Sequence, residues 1–187
     1  MTTIFDPSIL HNDPAVRGRM LTILQAALDA VRPDLAVKAQ LRRSGSQLSV
    51  AGETIDLAAC RHVFVVGAGK AGAPMTQAVE EVLGDSITGG LVVVKEGHGG
   101  PTQRVELVEA GHPVPTEAAL TAGARVLALA QDAQAGDLVI VVLSGGGSAL
   151  LESTGVTLAD LQALTAALLA CGATIGEINC LRKHLSL

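Results

Sequence analysis

Tryptophan and tyrosine are absent from this sequence, and its only aromatic side chains of that group are Phe5 and Phe64. There is no Lys/Arg stripe either, and the formal net charge is -5. A chain with neither stacking platforms nor a basic face is not built to hold nucleic acid. The three cysteines, Cys60, Cys171 and Cys180, are odd in number and lack CxxC spacing. That argues against a disulfide framework or a zinc cluster and reads as reduced, buried thiols. No apolar run approaches the roughly 20 residues that cross a bilayer. Met1 to Leu10 carry Asp6 and no basic stretch followed by an apolar one, so no secretory signal is expected. Together these absences point to a cytoplasmic, enzyme-like domain with no membrane partner.

What is present suits a buried core. Of the 187 residues, 49% are hydrophobic and 17% charged, with 21 glycines. Without aromatics the core must consist of Val, Leu, Ile and Ala. That palette fits a parallel sheet covered by helices on both faces.

Asp13 to Val31 reads as a helix, with Asp13 as N-cap, Pro14 in the first turn and Pro33 ending it. Leu41 to Ile55 suggests a small hairpin around Ser44-Gly45 and Ala51-Gly52. His62 to Val66 is a β-branched run that should be a buried strand. It is followed by Gly67-Ala68-Gly69-Lys70-Ala71-Gly72 and by helical spacing from Ala73 to Leu83, which Gly84 ends. Leu91 to Val94 and Val105 to Val108 read as strands, and Thr116 caps a helix running to about Ala130. Asp137 to Leu143 is the most apolar strand, and Leu158 to Leu169 is another helix. Strand, loop and helix alternate, and the strands are too apolar for one exposed face. The fold class expected is therefore α/β, a Rossmann-like open sheet, mostly parallel and flanked by helices. Residues 1–60 are expected to form an N-terminal helix and hairpin, and 61–187 the glycine-loop domain.

Two glycine loops each follow a strand. In an open α/β sheet, ligands bind beyond the carboxyl ends of strands. Gly67 and Gly69 allow a sharp turn that brings backbone N–H groups near a ligand, and Lys70 adds a point charge there. The bland alternative is a tight turn with a solvated lysine. The same loop matches the dinucleotide fingerprint, with Glu96 near the position of a ribose-binding acid. However, a lysine stands where a pyrophosphate must pack closely. Three consecutive glycines in Ser144-Gly145-Gly146-Gly147-Ser148 cost backbone entropy, and a nest of N–H groups around a phosphate would compensate. Neither loop is a Walker A motif, and no GxSxG nucleophile elbow occurs. His112, stiffened by Pro113 and Pro115, could hydrogen-bond a substrate hydroxyl or serve structure alone; His98 is a weaker candidate. Arg182, Lys183 and His184 suggest an anion site or a helix surface.

GAGKA (67–71), EAGHPVP (109–115), SGGGSALL (144–151) and EINCLRKHLS (177–186) together resemble the class II glycerate 2-kinases, the family whose C-terminal region is called MOFRL. Members have often been labelled hydroxypyruvate reductases. The resemblance runs from about Arg61 to Leu187. It implies transfer of the ATP γ-phosphoryl group to the 2-hydroxyl of D-glycerate, with Mg²⁺, in a cleft between two domains. It implies Lys70 as the active-site lysine and Gly67, Gly69, His112 and Ser144 to Ser148 (with Gly145, Gly146 and Gly147 between) as binding residues. Glu177, Asn179, Arg182 and Lys183 join them on the same ground, and the metal ligands stay unassigned. The family's essential arginine lies in a second domain beyond Leu187, so weak or absent kinase activity is expected of these residues alone. Homo-oligomerisation is left open. The alternatives are an NAD(P)-dependent hydroxypyruvate reductase and a non-catalytic sugar-phosphate binding domain.

Overall fold

The computed structural model describes residues 6–187, so the first half of the Met1 to Leu10 stretch read for a secretory signal lies outside the described residues. Helix α1 (Pro14–Ala30) starts at Asp13, whose carboxylate accepts from the N–H groups of Ala15 and Val16. Pro33 does not merely end it. It occupies the first turn of a second helix, α2 (Pro33–Gln40), where a missing N–H costs nothing. The expected hairpin is a three-stranded antiparallel meander: β1 (Leu41–Ser44), β2 (Gln47–Val50) and β3 (Glu53–Asp56).

The main sheet has four parallel strands: β4 (Val63–Ala68), β5 (Gly89–Lys95), β6 (Glu106–Ala110) and β7 (Leu138–Leu143). Their order is β6-β5-β4-β7. From β4 the chain steps to β5 and β6 on one side and then returns to the other side for β7. The strand order therefore reverses between β4 and β7, the place where open α/β sheets leave a crevice. Helix α3 (Gly72–Leu83) covers one face and α4 (Glu117–Asp132) the other. The turn α5 (Gly147–Leu150), then α6 (Leu158–Ala170) and α7 (Ile175–Leu185), follow β7.

Alternation along β5 builds two cores. Val92 and Val94 pack with Val63, Val65, Val79 and Leu83 on the α3 side. Leu91 and Val93 pack with Ala68, Ala110, Ala119 and Leu150 on the α4 side. Gly72 and Gly123 make this packing close. A Cβ on Gly72 would sit 2.8 Å from the Val94 side chain, and one on Gly123 would lie 1.8 Å from the carbonyl oxygen of Glu152.

Strand β7 departs from expectation. Its apolar run predicts burial on both faces, yet Val141 is 56% and Leu143 63% exposed. The reason is position: among the described residues β7 is the last strand of the sheet, and α4 packs over β5 and β6 instead. The thiols differ too. Cys60 is half-buried, but Cys171 and Cys180 are exposed, because they lie at the end of α6 and on α7 away from both cores. All three are free. Among the described residues no helix is long and apolar enough to cross a membrane.

Candidate functional site

Strands β4 and β7 pair in parallel, with Ala68 opposite Leu143. Their two glycine loops therefore leave the sheet side by side at one rim, and they are bonded to each other. The N–H of Lys70 donates to the carbonyl of Gly145 at 3.0 Å, and that of Ser144 to the carbonyl of Ala68 at 3.1 Å. The N–H of Ala71 donates to the Ser144 hydroxyl at 3.0 Å.

This bonding divides the work between the loops differently from the sequence-based expectation. In the first loop every N–H from Gly69 to Gly72 has an internal acceptor: Val93, Gly145, Ser144 and Gly69 respectively. Gly67 and Gly69 serve close packing. A Cβ on Gly67 would fall 1.9 Å from the Val142 carbonyl oxygen, and one on Gly69, at φ +141°, 2.0 Å from the Ser144 hydroxyl. The first loop is thus a scaffold whose one outward-facing ligand group is the exposed side chain of Lys70. In the second loop the N–H groups of Gly145, Gly146 and Ser148 have no acceptor among the described residues. Gly146 sits at φ +92°, a left-handed conformation that glycine adopts without penalty.

Lys70 and His112 meet over Gly146. A Cβ built there would lie 3.0 Å from His112 Nε2 and 3.4 Å from Lys70 Cε. The His112 loop is fixed on both sides: the Gly111 N–H donates to the Thr116 hydroxyl at 3.2 Å, and the Gln162 amide donates to the Pro115 carbonyl at 2.9 Å. Burial pushes the His112 imidazole below its usual range. The positive charges of Lys70, Lys95 and Arg182 push the same way, and a hydrogen bond to its own backbone opposes them.

Beside these groups lies a cavity of about 390 Å³, lined by His112, Gly146, Ser148, Ile178, Asn179 and Arg182 among others. That volume is in the range of small-molecule sites. Arg182 reaches it from α7, but its guanidinium donates to the Ser148 carbonyl and to the Glu152 carboxylate. Burial lowers the guanidinium's pKa from its ordinary value. Glu152, which nothing in the local sequence pattern singled out, is what holds this arginine. Its signal was invisible because 30 residues separate the pair.

The remaining candidates divide. Ser144 and Gly147 belong to the interlocked turn, where the Gly147 N–H donates to the Ser144 carbonyl at 3.3 Å. Asn179 lines the cavity, whereas Lys183 is exposed outside its lining. Glu177 is not brought to the cavity. It forms a capping box with Thr174, accepting from the Thr174 N–H at 2.8 Å at the start of α7. The sequence carries that signature as Thr174-x-x-Glu177. His98 is exposed and bonds to the Glu96 carbonyl; His184 bonds to the Cys180 carbonyl one turn earlier.

Fold and site together define an open α/β protein with a ligand-sized cleft at the reversal of its strand order. The chain belongs to the family described as "Domain of unknown function (DUF4147)", which matches residues 19–187. It is 41% identical over 186 residues to a D-glycerate 2-kinase of Thermotoga maritima, a match covering 98% of this chain and 40% of the relative. A 124-residue match at 48% identity links it to an Agrobacterium vitis protein carrying a hydroxypyruvate reductase name, over 65% of this chain and 32% of that one. The crystal structure of a glycerate kinase from Thermotoga maritima superposes with a TM-score of 0.72 at 39% identity, covering 93% of this chain and 39% of the other. These names bear out the resemblance to class II glycerate 2-kinases. The chain spans about 40% of the length of the Thermotoga relative.

Proposed function

We propose that these residues form the phosphate-binding side of a cytoplasmic D-glycerate 2-kinase, which transfers the γ-phosphoryl group of ATP to the 2-hydroxyl of D-glycerate. One observation carries the reading: the Lys70 and His112 side chains both flank Gly146, beside the free N–H groups of Gly145, Gly146 and Ser148. Phosphoryl transfer is mostly positioning and charge stabilisation. A nest of N–H groups with an adjacent ammonium supplies both for an anionic phosphate. The name of the Thermotoga relative supports the choice of acceptor.

Mg²⁺ accompanies ATP in this reading. Among the described residues no group of three or more His, Cys, Asp or Glu is arranged to hold a metal. Mg²⁺ bound with a nucleotide takes most of its ligands from phosphates and water, so its protein ligands are left unassigned and no step is routed through it. The dinucleotide alternative finds less support. The N–H groups that would face a pyrophosphate at Gly69 to Gly72 are already bonded within the protein.

Titration calorimetry on the 187-residue chain tests the proposal. ATP should bind. Lys70→Ala should weaken it about tenfold or more, as expected for losing one hydrogen bond to a charged group of about 1.5–3 kcal/mol. Binding of NADH without ATP would replace this reading with the reductase one. Tight binding of a phosphosugar without ATP would replace it with a non-catalytic sensor.

A further inference from the structure

His112 is the one group at the rim that combines a ring nitrogen without a protein partner and a position beside the free backbone donors. The ring bonds to its own backbone, which only Nδ1 can reach, so among the described residues Nε2 has no partner. That nitrogen is directed at Gly146, next to the Lys70 side chain. It also lines the same cavity as Ser148, Asn179 and Arg182. The titratable side chains beside the cavity and the second glycine loop are otherwise unsuited to receiving a proton, and Glu109 is taken up by the Gly97 and Gly99 N–H groups. Lys70 and Arg182 are donors, Glu152 is held by Arg182, and Glu177 caps α7.

We infer that His112 is the proton acceptor of the reaction, drawing the proton from the acceptor's hydroxyl through Nε2. This rests on the phosphotransfer reading above. In the step, the hydroxyl oxygen forms a bond to the γ-phosphorus of ATP while its proton passes to Nε2. The bond from that phosphorus to the oxygen bridging to the β-phosphate breaks, and its electron pair leaves on ADP. The imidazolium then returns its proton to solvent.

Three surroundings suit an imidazole to this task. The cations facing it are Lys70 from the β4 loop, Lys95 from the end of β5 and Arg182 from α7. Burial first, and these charges after it, lower the ring's pKa and so favour the neutral imidazole, whose lone pair can accept. The loop that carries the ring is tied down at Gly111 and at Pro115, so the nitrogen is presented rather than free to swing. Finally, the Lys70 side chain approaches the same point over Gly146 as the ring, so an oxygen attacking a phosphoryl group held by the ammonium lies within reach of the ring.

The test is nitrogen-resolved NMR of the histidine-labelled chain, followed by kinetics of His112→Gln in a protein that joins these residues to the second domain the family resemblance implies. At pH 7 the ring should be neutral with the proton on Nδ1. Adding D-glycerate with a non-hydrolysable ATP analogue should shift the Nε2 resonance, and 3-hydroxypropanoate, which lacks the 2-hydroxyl, should not. His112→Gln should lower kcat by about 10²–10⁴-fold, the usual contribution of a general base, with KM for ATP unchanged. The acid limb of the pH–rate profile should vanish with the ring. A cationic ring at pH 7, an Nε2 shift indifferent to the 2-hydroxyl, or an unaltered kcat in His112→Gln each overturns the inference and leaves the phosphotransfer reading standing. A wild-type chain that binds neither ATP nor D-glycerate overturns both.

Discussion

Arg182 on α7 donates both to the Ser148 carbonyl and to the Glu152 carboxylate, so one guanidinium ties the last helix to the end of the second glycine loop. The two side chains are only 13% and 10% exposed. Removing one partner strands the other charge away from water, at a cost of about 3–5 kcal/mol for a fully buried pair. Arg182→Met and Glu152→Gln should each lower the urea midpoint strongly. The double change Arg182→Met with Glu152→Leu should cost less than the sum of the singles. Additivity in that cycle would mean that the pair does not act as a unit.

Gly67 and Gly69 should tolerate no side chain, for steric rather than ligand-binding reasons. Gly67→Ala drives a methyl into a backbone carbonyl, and overpacking of this kind costs about 1–3 kcal/mol. Gly69→Ala meets the Ser144 hydroxyl and adds a left-handed φ. Thermal unfolding of both variants should fall well below wild type. If either variant melts like wild type, the interlocked loops are looser than described.

Lys70 predicts the opposite pattern. It is exposed, and surface substitutions away from special features usually stay within about 0.5 kcal/mol. Lys70→Ala should therefore melt like wild type while losing ATP affinity. Glu177→Ala should do the reverse: about 1 kcal/mol less stability from the lost cap, with ATP affinity intact.

The acidic side of the stability curve should carry a contribution from His112. Its folded pKa lies below its unfolded value near 6.5, so the unfolded chain binds the proton first as pH falls. Stability then drops with falling pH from about 6.5 downward, and full stabilisation returns above that value. Carboxylates held low by partners, such as Glu106 beside Arg125 and Asp137 beside the Gln134 N–H, lose their contribution only at lower pH. Unfolding midpoints at pH 5.5 and 7.5 in wild type and His112→Gln should separate the two windows, the variant being the flatter.

Much of the frame was legible before any coordinates. Alternating apolar strands and helical stripes with glycine between them gave the parallel sheet, and two loops on parallel strands had to share a rim. Local rules misled where they are two-sided. Pro33 stops one helix but starts the next, and Glu177, expected among the binding residues, instead completes a Thr174 capping box. The rest depended on contacts distant in sequence. The Glu152–Arg182 pair, and the consumption of the first loop's N–H groups by Val93, Gly145 and Ser144, follow from tertiary packing. The exposure of β7 could not be read from its composition, because an edge strand and a central one can share the same residues.

The outer position of β7 has a mechanical consequence. Among the described residues, the strand that leads into Ser144 is gripped by β4 along one flank alone. Every second amide on it points outward, so its hydrogens should trade with deuterium long before those of β4 and β5. The three-glycine turn thus hangs from a hinge anchored on a single side, and pressure on that free flank would be felt first at Gly145 and Gly146.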